Sequence, residues 1–436
     1  MKLTLKKEFC CVIIYLVFSY FFKASIKMDK KKLLKYMLIT LELAALGIVI
    51  GIVCGIIGSA FSHSVAFVTS LRSNHPWILY LLPLGGLLSV FLYKVFKVTD
   101  TGTDDAVETA HTDKKVSPLL TPAVFICSVI THLFGGSAGR EGAALKMGGG
   151  IAAFFSNILK LDERTRRTVA LAGMAGVFAA VFGTPLGAAV FCVEVVRSRT
   201  VRWWGIITAL ISSTTAYVVS LLLFVKPERY HIDVIPSWSL DTLWKFLLLS
   251  AAGGIVAFIF CTAMHLFSKG AKKILKNDYL RISVIAAIIV LLTFIVGTTD
   301  YNGGGINIIE GIFHGHSESV GYESFALKIL FTALTVAAGY KGGEIVPAFF
   351  TGATFGCAFA PLLGFSGAFG ASVGMISLFC GVTNCPIATV ILATELFGTE
   401  SLPFSIIAVI MSFLFSGEPS LYDHKKFPFK DLKMGM

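Results

Sequence analysis

Five stretches free of Asp, Glu, Lys and Arg limit what this chain can become: Leu43–Phe61, Trp77–Tyr93, Trp203–Val225, Phe246–Met264 and Ile282–Thr299. Roughly 20 apolar residues of helix cross a hydrocarbon core, and each stretch is at or near that length. Soluble domains carry about a quarter charged residues. Here 14% of 436 residues are charged and 55% are hydrophobic. The expectation is an all-α, multi-pass protein of the cell membrane, with the lipid bilayer as its first partner.

The formal charge of +11 is compatible with a membrane surface and with anion handling, and specifies neither. The Lys-rich stretch Lys27–Lys35 puts the N-terminal region on the cytoplasmic side, and Lys425, Lys426, Lys430 and Lys433 put the C-terminus there too. No basic stripe stands on a soluble fold, so nucleic acid is excluded as a partner. Of nine cysteines, Cys10, Cys54, Cys127, Cys192, Cys261, Cys357 and Cys385 lie inside apolar runs, as small hydrophobes do. Neither metal spacing nor a disulfide framework is visible, so no metal and no cofactor are expected. Lys2–Glu8 followed by Phe9–Phe22 resembles a signal-peptide n-region and h-region without a cleavage site, and is short for a span. Residues 1–27 stay outside the functional reading, with Met28 as an alternative start.

Several apolar stretches are interrupted. Val169–Val193 is divided at Gly183-Thr184-Pro185. Ile345–Gly370 is broken by Pro347 and Pro361, and Pro386–Leu396 is a short helix opening on proline. Broken helices survive at membrane depth only where protein or a water-filled cavity satisfies the freed backbone groups. Pro185 precedes Glu194 by the same interval as Pro386 precedes Glu395, and Glu141–Gly148 stands to Ile345–Gly352 at a nearly equal offset. Two related halves with discontinuous helices in matching places point to a binding site at the membrane midplane. The chain divides accordingly into an N-terminal segment (1–35), a first membrane repeat (36–200), a second (201–424) and a short tail (425–436). No soluble domain is expected after Tyr422.

The strongest local signal is Gly135-Gly136-Ser137-Ala138-Gly139-Arg140-Glu141-Gly142-Ala143-Ala144. Glycines let the backbone turn before a helix starts. The first N–H groups of that helix have no internal partner and point outward with the positive end of the macrodipole. Such a start binds an anion without a fixed cation. Glu141 sits in the same turn: ionised, it can occupy the anion's place; protonated, it can leave. The plainer alternatives are an Arg140–Glu141 ion pair or a helix cap.

Gly139-Arg140-Glu141-Gly142 resembles the GREG signature of the CLC family of chloride channels and anion/proton antiporters. Three more segments agree in order. Phe182-Gly183-Thr184-Pro185-Leu186-Gly187 leading to Glu194 is similar to the family's short proline helix. Gly342-Gly343-Glu344-Ile345-Val346-Pro347 is similar to its GGxFxP loop, and Ser416–Tyr422 is similar to its final pore segment. The resemblance covers residues 36–424. It implies a bundle of about 17–18 helices, many discontinuous, in two inverted repeats, and a homodimer with one pore per subunit. It further implies that Glu141 is the external gating glutamate, and that backbone N–H groups of Gly142, Ala143, Ile345 and Val346 face the anion. Tyr422 donates its hydroxyl at the centre, and Thr101 or Thr103 supplies a second hydroxyl from the loop Asp100–Asp105. For that loop a solvated turn is the plainer reading.

Two departures bear on the ion and its coupling. Many proton-coupled members carry a second glutamate directly after the position of Glu194, where this chain has Val195. Glu194 and Glu395 are then expected to close helix ends. Glu344 replaces an apolar residue of chloride-type members and, with the wording around Glu141, resembles the fluoride/proton antiporter branch. That branch has threonine where this chain has Val346. Glu344 or a water chain is the expected substitute in the proton path. His132, three residues before Gly135, has the chemistry to shuttle protons, although a structural role is the commoner one. The expected function is transport of a chloride-type halide in exchange for protons, with fluoride/proton exchange and a passive chloride channel as alternatives. An intramembrane enzyme would need a nucleophile–base pair or metal ligands at depth, and no HExxH occurs. No enzyme activity is expected.

Overall fold

The computed structural model describes residues 30–98, 116–196, 203–232 and 234–422. Thr101 and Thr103, residues 1–27 and the tail lysines lie outside them. The described residues form fifteen α-helices and no sheet, against an expected 17–18 over the whole chain. The helices are α1 (Lys30–Asn74), α2 (Leu82–Val95), α3 (Leu120–Phe134), α4 (Glu141–Ile158), α5 (Glu163–Phe182), α6 (Pro185–Val196), α7 (Trp203–Leu222) and α8 (Leu240–Ile274). Then follow α9 (Asp278–Val296), α10 (Ile306–Phe313), α11 (Ser324–Ala338), α12 (Ile345–Phe359), α13 (Gly367–Thr383), α14 (Pro386–Phe397) and α15 (Leu402–Phe415). The described residues fall into two units, one up to Leu46 and one from Gly47.

Among the described residues, seven helical segments are long and apolar enough to cross a membrane. The 35-residue α8 is about 50 Å long at 1.5 Å per residue, so it tilts or projects beyond a hydrocarbon core of about 30 Å. Helices such as α6 and α14, of 12 residues each, are too short to cross. Their ends therefore fall among protein groups, which the sequence provides. Glu194 on α6 accepts from the N–H of Ile387 (3.2 Å) and Ala388 (2.7 Å) at the start of α14. Glu395 on α14 accepts from the N–H of Leu186 (3.1 Å) and Gly187 (2.7 Å) at the start of α6. Each acid closes the other helix.

The break at Gly183 is real: α5 ends there with φ 78°, a left-handed conformation that glycine adopts without steric cost. Pro347 does not break its stretch. It sits in the first turn of α12, where a missing N–H is harmless, and the chain turns instead at Ala360–Leu363 around Pro361. Glycines set two helix crossings in matching places. Gly148 on α4 lies backbone to backbone on Gly173 of α5, and Gly352 on α12 does the same on Gly374 of α13, with no room for a Cβ.

Candidate functional site

The segments before α4 and α12 meet. Gly139 N–H donates to Gly343 O (2.7 Å) and Gly343 N–H donates to Gly139 O (2.8 Å), an antiparallel bridge that sets two helix starts side by side. The bonding ladders begin at Ala144 N–H to Arg140 O and at Ala348 N–H to Glu344 O. The N–H groups of Gly142, Ala143, Ile345 and Val346 precede those bonds, so the bridge gathers two sets of helix-start dipoles. Gly343 lies against the N–H of Gly142, too close for any side chain.

Glu141 is fully buried and neither carboxylate oxygen has a hydrogen-bond partner. The ion-pair and capping alternatives both lose weight. Arg140 turns away and donates from Nη2 to Glu228 Oε1 at 2.7 Å, leaving Nε 4.0 Å from Glu141 Oε1. A carboxylate buried among apolar groups without donors costs several kcal/mol if ionised.

Tyr422 is buried at one end of a line of rings. Phe182 stacks on Phe349 (5.6 Å), Phe349 on Phe379 (5.3 Å), Phe379 meets Phe191 (5.4 Å), and Phe191 meets Tyr422 edge-on (6.3 Å). Ring edges carry partial positive charge. The final segment docks on α13 through Leu421 N–H and the Ser420 hydroxyl, both donating to Val382 O. Glu344 is half-buried and acts electrostatically on Cys261, whose thiol faces the same Val382 carbonyl at 3.9 Å. Val195, at the usual inner-acceptor position, is buried.

Sequence reasoning missed the approach to this site. A cavity of about 820 Å³ is lined by Gly139, Arg140 and Val346 and by Arg72, His132, Glu228 and Asn302. Arg72 Nη1 donates to His132 O at 2.6 Å. Lys328, fully buried, donates to the carbonyls of Tyr301 (3.1 Å) and Gly303 (2.7 Å) and lies 4.8 Å from the Phe350 ring centre. A lysine inside an otherwise apolar helix is visible in sequence as an oddity; its carbonyl partners are not.

Short helices that start inside the protein, a buried carboxylate where two of them meet, and a vestibule bearing several cations define a membrane transporter of small inorganic anions. This chain belongs to the voltage-gated chloride channel family, whose model matches residues 3–120 and 85–417. It is 33% identical to a chloride/fluoride channel protein of Pseudomonas syringae pv. tomato, over 90% of this chain and 88% of that one. It is 26% identical to the H(+)/Cl(-) exchange transporter ClcA of Vibrio campbellii, over 85% of this chain and 86% of the relative. Among solved structures, a CLC-type fluoride/proton antiporter superposes with a TM-score of 0.84 at 28% identity, covering 91% of this chain and 98% of that one. A slow cyanobacterial Cl-/H+ antiporter gives 0.75 at 18% identity over 86% and 94%, a likeness of fold.

Proposed function

We propose that this transporter exchanges a halide for protons across the cell membrane and that fluoride is the halide it serves best. The observation that carries the exchange is Glu141, buried and without a hydrogen-bond partner at the joined starts of α4 and α12. In this reading the N–H groups of Gly142, Ala143, Ile345 and Val346 hold the anion, and the Tyr422 hydroxyl donates to it deeper in. A hydroxyl from Thr101 or Thr103 completes the set. Glu141 competes for the outer place when ionised and carries a proton when displaced. Glu344 takes the role of inner proton acceptor that Val195 cannot fill. The two helix pairs belong to two related halves, and the family resemblance supports a homodimer with one pore per subunit.

Sequence alone ranks chloride first. Glu344, the chloride/fluoride channel relative and the fluoride/proton antiporter neighbour favour the reverse order. Val346, where the fluoride branch has threonine, favours chloride and keeps it as the second reading. The test is efflux from liposomes loaded with potassium fluoride or potassium chloride, with valinomycin as shunt and simultaneous halide and pH recording. Fluoride efflux faster than chloride efflux, each with proton uptake, is expected. Chloride equal to or faster than fluoride assigns the second reading, and halide movement without protons overturns exchange.

A further inference from the structure

Lys328 on α11 is fully buried. Its Nζ donates to the carbonyls of Tyr301 (3.1 Å) and Gly303 (2.7 Å) and faces the Phe350 ring, 4.8 Å from its centre. Both carbonyls belong to a buried turn, Tyr301-Asn302-Gly303, that lies outside any helix. Buried carbonyls need donors, and here a side chain from another element supplies them. Methionine would fill the same space with no charge to bury, so packing does not account for a lysine.

The turn is held on its other side by the glycine segment that leads to α4. Asn302 Nδ2 donates to Gly135 O (3.1 Å), and Gly303 N–H donates to Gly136 O (3.1 Å). Gly304 follows, next to Val346. A Cβ on Gly304 would stand 3.3 Å from Val346 Cγ1 and 3.6 Å from Ala138 O, and one on Gly139 would stand 2.7 Å from Val346 Cβ. Gly304 therefore backs the place where the first turn of α12 meets the segment before Glu141. Gly305 lies against the Phe350 ring, one helical turn along α12 from Val346. Asn302, Gly304 and Gly305 also line the vestibule. One ammonium fixes a turn wedged between both helix starts.

We propose that Lys328 is a positioning residue of the anion site: by holding the carbonyls of Tyr301 and Gly303 it keeps Gly304 against Val346, and so fixes the start of α12 relative to the start of α4. The proposal rests on the reading that the N–H groups of Gly142, Ala143, Ile345 and Val346 hold the halide. Lys328 acts through the turn. Its loss lets the two sets of N–H groups shift against each other, which weakens halide binding and blunts discrimination between a small halide and a larger one. Glu141 keeps its proton chemistry, so coupling persists.

The experiment measures fluoride and chloride efflux from liposomes against halide concentration, with simultaneous proton recording, in wild type, Lys328→Met, Lys328→Arg and Gly304→Ala. Lys328→Met keeps the length and removes the donors; Lys328→Arg keeps charge and donors. Gly304→Ala leaves Lys328 in place and pushes a methyl group toward Val346. Lys328→Met is expected to raise the halide KM about tenfold, leaving two buried carbonyls without a donor. It also narrows the difference between fluoride and chloride, with maximal rate and protons moved per halide near wild type. Lys328→Arg is expected to recover most of the affinity, and Gly304→Ala to raise KM in the same direction. A monodisperse Lys328→Met protein with wild-type KM and halide preference overturns the proposal, as does a fall in maximal rate at unchanged KM. Wild type moving halide without protons overturns exchange, and the KM comparison still decides the positioning role. Should Lys328→Met not fold, Gly304→Ala and amide hydrogen exchange on wild type decide. Saturating fluoride is expected to slow exchange in residues 301–305 together with the starts of α4 and α12. Slowing at the helix starts alone overturns the proposal, and slowing at neither overturns the anion reading beneath it.

Discussion

Arg140 and Glu141 are neighbours in the chain and part company in the fold, because the guanidinium finds a better partner in Glu228. Glu141→Gln removes the titrating proton and keeps the shape. Proton movement is expected to fall to background while halide flux persists and loses its pH dependence, as read by paired halide and pH electrodes. Glu228→Gln weakens a charge-assisted hydrogen bond and releases Arg140 toward the carboxylate 4.0 Å from its Nε. Exchange is then expected to slow severalfold, and the additional Arg140→Gln substitution to restore it. An unchanged rate in Glu228→Gln would show that Arg140 does not hold the gate. Glu141 was legible because glycine, a charge and an apolar run coincide within a few residues. Glu228 was not, since its partner is 88 positions away and an isolated loop acid carries no pattern.

Short helices create a need that the sequence meets with long-range caps. Glu194 and Glu395 each take two N–H groups from the start of the other's helix. Their equal spacing from Pro185 and Pro386 made an end-closing role readable, while the exchange of partners needed coordinates. Losing charged hydrogen bonds to two N–H donors is worth about 1.5–3 kcal/mol per bond at most. Glu194→Ala and Glu395→Ala are expected to lower the melting temperature in detergent clearly more than Glu194→Gln and Glu395→Gln. A solvent-side cap gives a contrasting case. Asp162 accepts from Arg164 N–H at the start of α5 and from the Thr165 hydroxyl, which holds its carboxyl below the usual carboxylate range. A lowered folded-state value makes the ionised form the stabilising one. The contribution is therefore full above the unfolded value near 3.9 and fades as pH falls through the folded value. Asp162→Ala should cost about 1 kcal/mol at neutral pH and less at low pH, with Asp162→Asn close to wild type.

At the scale of the molecule, composition and five charge-free runs were enough for a polytopic helical protein. The vestibule escaped because it is made by residues from many separate elements, each unremarkable in its own stretch. The fold is held across its length by contacts that neither part makes alone. Gly139 and Gly343 exchange N–H bonds, α6 and α14 exchange carboxylate caps, and Tyr230 N–H donates to Leu396 O at 2.9 Å. A helix start at membrane depth that loses its cap exposes N–H groups in a medium with no water to replace it, at several kcal/mol per group. Cutting the chain between Pro236 and Ser237, in the loop before α8, leaves every helix intact while separating these partners. Each piece expressed alone is expected to aggregate on detergent extraction. The two expressed together are expected to co-purify as one species and to transport. A piece that is stable and monodisperse by itself would mean that its helix starts are satisfied from within, and that the cross-chain caps are incidental to the fold.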